Sequence, residues 1–411
     1  MRRTAVVSYY WPPLPSIGAQ RWVSMSKHLR AQGHDVRIVT SRAHGTLPDD
    51  GDRVIRTGDL ASADALRKVL RRPAMPTPGV VAAHTPPPAL LTKVFVPDSY
   101  VVSWMPTALA AVRRLDVDCV ITSGPPDSTH LIGLALGRKG PAWIADFRDG
   151  WRFEPMRPEW PTRAQDRIEA WLERRVAQRS DLAFGATLPI AEDLVTRLGA
   201  DAHWVTNGFE PELESDRRAP IAHDGWRTLA HTGTLSGFTW GRDPRPMLAA
   251  LHDFNAARAP GEPRVKLLLA GRPSVDDQRL IAEAGLGAAV EHRGLVTRDE
   301  SLSIQRGADA LLLVTGHNRS EATGKLFEYL ASGRPILALA EGNEAARIVR
   351  ETGTGVAVGG GDPAGLRTAL AALADGSLER AYAPHGLERF RYPAPAEAVA
   401  ELIETAIGRH R

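Results

Sequence analysis

The chain has 411 residues, 43% of them hydrophobic, and a formal net charge of +3. That is enough apolar material for two cores, and the charge is too mild to argue for nucleic-acid binding. The single cysteine, Cys119, rules out an internal disulfide and lies in an apolar run, where it reads as a small core residue.

Met1-Arg2-Arg3 leads directly into the apolar run Thr4 to Tyr10. This run is too short, and too soon followed by prolines, for a signal peptide or membrane span, so a cytoplasmic protein is expected. It is predicted to be a strand. The loop Trp11 to Gly18 follows, then a helix that reaches Gln32 and is stopped by Gly33. Gly18 permits close backbone approach, and Arg21 in the first turn can meet a phosphate or carboxylate. The fingerprint G-x-G-x-x-G is absent, and the second predicted strand, Asp35 to Thr40, ends without an acid for a ribose. A nicotinamide-dependent dehydrogenase is therefore disfavoured.

From about Arg42 to Pro97 the rhythm breaks, with prolines at 73, 76, 78 and 86–88. This reads as a long excursion, expected to belong to an acceptor-side surface. Within it, the basic stretch Arg67 to Arg72 has the composition of a contact with an anionic membrane or lipid-linked acceptor. A solvated face is the plainer alternative.

Further strands are predicted at Asp118 to Ser123, Trp143 to Phe147, Leu182 to Thr187 and Trp204 to Thr206. Ser123 opens a Gly-Pro-Pro turn that leads to His130, expected on the following helix as either a structural histidine or a ligand contact. Asp146, Arg148 and Asp149 close the Trp143 strand. Two carboxylates and an arginine there form an internal ion-pair network or face a polar ligand, and ligand contact is expected. Asp116 and Asp118 mimic a metal-binding pair but open an apolar strand and read as surface charge.

After the charged stretch Glu210 to Pro220 a second series begins: Trp226 to Thr232, Val265 to Ala270, Val290 to Arg293, Asp309 to Val314, Ile336 to Ala340 and Gly355 to Val358. The chain is thus expected to be α/β, with two Rossmann-like doubly wound parallel sheets, residues 1–207 and 208–393, facing a central cleft at their carboxyl ends. The final helix, about Ala394 to Arg409 within 394–411, is long enough to cross back onto the first domain. Gly233 and Thr234 can offer amides to a pyrophosphate, and Arg242 can add charge. Arg272 and Val296 stand at strand exits suited to a base or to plain turns.

The densest signal is Arg319 to Pro335, which reads strand, loop, helix, strand. Thr323 and Gly324 fall at the helix start, where free amides and the helix dipole attract phosphate. Lys325 in the first turn opposes the dipole by roughly 0.3–1 kcal/mol, which points to a bound anion or a nearby carboxylate. Glu328, on the same face, can accept from ribose hydroxyls, with an exposed Lys–Glu pair as the alternative. No zinc-type cluster, P-loop or G-x-S-x-G elbow occurs.

These residues together resemble a retaining glycosyltransferase of the GT-B architecture, similar to glycosyltransferase family 4. The motif Gly324-Lys325-Leu326-Phe327-Glu328-Tyr329 through Pro335 carries most of the likeness. It is supported by the early Tyr10-Trp11-Pro12-Pro13 loop, Ser123-Gly124, Asp146 to Asp149, Asn207-Gly208 and Gly233-Thr234. The resemblance implies a nucleoside-diphosphate sugar, UDP- or GDP-linked, held by the second domain without a metal or other cofactor. Glu328 would bind the ribose. Gly233, Arg242 and Lys325 would surround the diphosphate, with Thr234, Arg272, Val296, Thr323, Gly324 and Leu326 lining the site. The family's sugar-contacting glutamate falls at Ser320, with Glu321 one residue away, so the sugar contact departs from the pattern. Gly18, Arg21, Ser123, His130, Asp146 and Arg148 would form the acceptor side.

The reaction implied is front-side displacement with retention, leaving-group charge being met by Arg242 and Lys325, and Asp149 orienting a small-molecule, saccharide or lipid-linked acceptor. A nucleotide-sugar epimerase and a non-catalytic nucleotide-sugar-binding subunit are the competing expectations. Cell-envelope assembly and natural-product glycosylation are both plausible settings. No nucleic-acid partner is expected.

Overall fold

The computed structural model describes residues 1–14, 17–59, 93–155, 159–214, 221, 225–236 and 241–410, the side chains of Ile17 and Asp49 excepted. The basic stretch 67–72, most of the excursion around it and most of the charged segment before the second series lie outside the described residues. The chain forms two compact units, residues Met1–Asn207 with Tyr392–Arg411, and residues Gly208–Arg391.

The first unit is built on a seven-stranded parallel sheet: β1 (Arg3–Ser8), β2 (Asp35–Ser41), β3 (Val54–Thr57), β4 (Cys119–Gly124), β5 (Ala142–Phe147), β6 (Leu182–Gly185) and β7 (Ala202–Trp204). Their spatial order is β3-β2-β1-β4-β5-β6-β7. The central strands are buried on both faces because helices cover both sides, which is why they read as continuous apolar runs rather than alternating ones. Val6 stands opposite Ile38 on one side and Ile121 on the other, and all three are fully buried. Cys119 is buried in the same core, where burial pushes its thiol pKa upward, so it is an inert packing residue.

Strand β3 lies inside the stretch that sequence periodicity leaves as an excursion. It has four residues, three of them only partly buried, and Arg56 interrupts it, so its strand character comes from pairing with β2 rather than from its own pattern. The helix Ala394–His410 packs against the helix Ile17–Ala31, with Val399, Ile403 and Ala406 joining Trp22, Met25 and Leu29 in one apolar cluster.

The second unit has a six-stranded parallel sheet: β8 (Trp226–Thr232), β9 (Arg264–Ala270), β10 (Val290–His292), β11 (Ala310–Val314), β12 (Ile336–Leu339) and β13 (Gly355–Val358). Its order is β10-β9-β8-β11-β12-β13. Helix starts here follow local chemistry. Thr297 and Glu300 form a reciprocal capping box before Arg298–Gly307, and Ser274 with Asp277 does the same before Val275–Glu283.

Each sheet reverses its strand order once, between β1 and β4 in the first unit and between β8 and β11 in the second. Such switch points open a crevice at the carboxyl ends of the strands, because the two flanking connections leave in opposite directions.

Candidate active site

The switch point of the second unit is floored by glycines. Gly233 leaves β8 with φ 117°, and Gly271 leaves β9 with φ 146°, a region that side chains rarely adopt. The Gly233 amide donates to the Ala270 carbonyl at 2.6 Å, and the Gly271 amide to the Gly294 carbonyl at 2.8 Å. The three strand exits are therefore tied side by side into one surface.

On that surface lies Lys325. A β-carbon on Gly233 would fall 2.5 Å from its Cε and 2.9 Å from its Nζ. Lys325 belongs to the first turn of the helix Gly324–Ala331, yet among the described residues no carboxylate forms an ion pair with it. Burial lowers its pKa from the ordinary 10.5; Glu328 opposes the shift, while Arg242 and Arg298 add to it. Thr323, at the N-cap, makes no capping bond, and its hydroxyl is buried without a partner. A half-buried cation, an orphaned hydroxyl and first-turn amides without intrahelical acceptors thus meet at one helix start, a combination suited to an anion.

Glu328 is partly open. Its carboxylate meets Arg298 at 3.3 Å and the Gln305 amide at 3.5 Å, both loose contacts. Gln305 also reaches the Thr232 hydroxyl at 3.0 Å, and the Thr232 amide donates to the Tyr329 hydroxyl at 3.1 Å. Gln305 and Tyr329 thus tie the end of β8 to the helix that carries Glu328. Nothing in the sequence signals these two, since both look like ordinary helix residues. His231, fully buried, has both ring nitrogens near carbonyls, Leu312 at 2.9 Å and Thr234 at 3.0 Å, and burial pushes its pKa down to about 4.

Arg242 and Glu321 pair at 2.9 Å, and the other Glu321 oxygen accepts from the Gly316 amide at 2.6 Å. The carboxylate expected to face the donor is spent on holding the loop after β11 and orienting Arg242. Leu326 is likewise committed: its side chain is in the core and its amide donates to the Thr323 carbonyl at 3.0 Å. Ser320 is half-buried in the same loop. Thr234 and Arg272 are exposed and Val296 is half-buried at their strand exits. No hydrogen bond or ion pair joins Arg272 or Val296 to the Lys325 cluster among the described residues.

In the first unit the structure separates residues that the sequence groups together. Asp146 is fully buried and accepts from the Trp22 indole and the Ser123 hydroxyl, each at 2.7 Å, with Arg21 at 3.5 Å. Arg21 donates to Asn207 and to the Val205 carbonyl, each at 2.7 Å, and lies over the Phe184 ring. The ligand contact expected of Arg21, Ser123 and Asp146 gives way to an internal network, because a charge this deep has to be paired by the protein itself. His130 is also interior: it stacks on Phe147 at 4.6 Å and meets the Thr122 hydroxyl at 3.0 Å. Burial and Arg148 push its pKa down to about 3, so it is a neutral packing residue.

Arg148 and Asp149 remain at the edge. The Arg148 guanidinium occupies the space that a β-carbon on Gly18 would take, so a larger residue there would have to displace it. It donates to the Gly124 carbonyl at 2.9 Å and to the Pro125 carbonyl, and among the described residues it pairs with no carboxylate. Asp149 is solvent-exposed, although the surrounding protein raises its pKa, with Arg148 pulling the other way. Asp116 and Asp118 pair with Arg3 at the far end of the sheet. Among the described residues no group of His, Cys, Asp and Glu is arranged to hold a metal, and no helix is long and apolar enough to cross a membrane.

Two doubly wound parallel sheets, each with polar groups gathered at its switch point, are the architecture of GT-B enzymes. Residues 18–208 match the glycosyl transferase 4-like domain, and residues 242–375 match the glycosyl transferases group 1 domain. The chain therefore belongs to the GT-B glycosyltransferases of the family 4-like group.

Solved structures agree on the fold. Sucrose-phosphate synthase from Thermosynechococcus elongatus superposes with a TM-score of 0.68 at 17% identity, over 99% of this chain and 100% of that one. A glycosyltransferase from Rickettsia africae gives 0.64 at 12% identity, over 99% and 98%. HepE of Anabaena, solved in complex with UDP and glucose, gives 0.56 at 14% identity, over 98% and 100%. No curated protein sequence matches the chain.

Proposed function

We propose that the protein transfers a sugar from a nucleoside-diphosphate sugar to a hydroxyl-, amine- or thiol-bearing acceptor, with retention of configuration and without a metal. The observation that carries this reading is Lys325, a half-buried cation at a helix start, seated on Gly233 and lacking a carboxylate partner among the described residues. A diphosphate supplies the missing anion, and UDP is the first candidate because it is the ligand of the Anabaena neighbour.

In this reading the diphosphate lies over Gly233 and against the amides of Gly324 and Lys325, with Arg242 as the second cation. Glu328 accepts from ribose hydroxyls. The bond between the sugar C1 and the β-phosphate oxygen breaks, and the negative charge left on that oxygen is met by Lys325 and Arg242 in a water-poor setting. The acceptor forms its bond to C1 on the same face, and its proton passes to the departing phosphate oxygen. No side-chain base is then required. Arg148 and Asp149 are the first-unit residues left free to contact the acceptor. A role for Ser320 at the sugar rests only on its place in the loop after β11.

Calorimetric titration with UDP, GDP, ADP and dTDP, with and without magnesium, tests this on the native chain and on Lys325→Ala. One nucleotide should bind at micromolar concentration without metal, and the variant should lose it. If no nucleotide binds, the reading fails. Donor turnover that proceeds without any acceptor would instead assign an epimerase.

A further inference from the structure

The helix Arg163–Arg179 of the first unit carries an uneven distribution of charge. Its three acids are all engaged. Glu169 is fully buried near Trp151 and Arg152, Glu173 is buried against Arg197 at 2.7 Å, and Asp166 pairs with Arg152 at 2.7 Å. Its arginines at 163, 167, 174, 175 and 179 are all exposed, and among the described residues none has an acidic partner. The outward side of the helix is thus strongly positive in a chain whose overall net charge is only +3.

The same side carries apolar surface. Ile168 is 49% exposed and Trp171 59% exposed, and with Arg175 they recur at helical spacing as one stripe. A tryptophan left this open has an apolar body and a polar tip, which suits the boundary between water and lipid headgroups.

Beside the stripe is a cavity of about 650 Å³ whose walls include Arg138, Trp143, Arg175, Arg179 and Arg409. The one carboxylate on its wall, Asp181, is engaged by His410 at 3.0 Å. The cavity lies at the amino-terminal edge of the sheet, since Trp143 is the second residue of β5 and Asp181 precedes β6, whereas Arg148 and Asp149 follow the carboxyl end of β5. It is therefore separate from the residues assigned to acceptor contact.

We propose that this helix and the adjoining cavity dock the first unit on an anionic bilayer. Ile168 and Trp171 sit at headgroup depth, while Arg138, Arg175 and Arg179 hold lipid phosphates. Each arginine near such a surface strengthens binding roughly five-fold, an effect that salt screens. This docking surface does not depend on which nucleotide or acceptor the protein uses.

Co-sedimentation of the full chain with vesicles tests it, comparing phosphatidylcholine alone with phosphatidylcholine mixed with phosphatidylglycerol, at low and high salt. The native chain should bind the mixed vesicles only, and less so in salt. The double charge reversal Arg175→Glu with Arg179→Glu should weaken binding by roughly twenty-fold or more, and Trp171→Ala by several-fold. Melting curves establish that each variant is folded, and these readouts do not depend on nucleotide binding. Absence of binding to mixed vesicles, or binding unchanged in the charge-reversed variant, overturns the proposal. Full displacement by free glycerol phosphate would also overturn it, assigning the cavity to a soluble phosphate ligand.

Discussion

Lys325 and Gly233 are locked together: a single added β-carbon on Gly233 would stand 2.5 Å from the Lys325 Cε. The side chain that brings the positive charge can lie across the end of β8 only because that residue has none. Gly233→Ala should therefore displace Lys325, and at φ 117° it should strain the backbone by about 1–3 kcal/mol as well. UDP affinity is expected to fall at least ten-fold while the cooperative melt is retained. Wild-type affinity in this variant would show that Lys325 does not need its seat on the strand exit.

The depressed pKa of Lys325 has a definite sign in stability. Between its folded value and the ordinary 10.5, the folded chain holds fewer protons than the unfolded one, so stability rises with pH across that window. At neutral pH the charged, unpaired lysine costs stability. Lys325→Met should accordingly raise Tm by roughly 2–4 °C, the shift that about 1 kcal/mol produces in domains of this size, while abolishing nucleotide binding. In the native protein nucleotide affinity should decline as pH rises toward 10.5, earlier than a surface lysine would dictate.

Glu328 is assigned to the ribose through its open carboxylate. Its alanine variant should lose about 1–3 kcal/mol of UDP affinity. Removing the ribose 2′-hydroxyl from the ligand should cost the native protein a similar amount and the Glu328→Ala variant almost nothing. Additive losses in that cycle would show that the two groups do not touch.

Asp149→Ala should leave nucleotide affinity within two-fold and lower transfer by roughly a hundred-fold, since an orienting group acts on the approach of the acceptor. Steady-state transfer measured beside calorimetry separates the two. Equal loss in both would move Asp149 to the donor.

Arg21 and Asp146 should behave as structural residues. Their side chains are 2% and 0% exposed, and removing one partner of such a buried pair typically costs about 3–5 kcal/mol. Arg21→Ala should shift the urea midpoint of the first unit strongly without changing nucleotide affinity. A stable variant with impaired transfer would restore Arg21 to the acceptor site.

The architecture was legible in the sequence because parallel strands buried on both faces are nearly continuous apolar runs, as in Ala310–Val314, and because Gly333 and Pro335 punctuate the helix between β11 and β12. The proposed anion site was visible in the sequence for a related reason. A lysine in a first helical turn after Thr323-Gly324 is locally unfavourable, and an unfavourable local choice points to something outside the segment. Strand β3 was not legible, since its four residues take their conformation from pairing with β2.

Only the tertiary structure decided how the charged residues divide. In sequence, Arg21, Asp146, Arg148 and Asp149 look equally suited to a ligand. Depth in the fold separates them, since Asp146 sits within β5 against Trp22 and Arg21, while Arg148 and Asp149 lie two and three residues further on, past the end of the sheet. Glu321 turned to Arg242 for the same kind of reason, because these residues, 79 positions apart in the chain, meet only when β8 and β11 pair and bring their following loops together. Sequence specifies which groups are costly to bury; which of them the protein neutralises itself, and which it leaves for a ligand, depends on neighbours that only folding supplies.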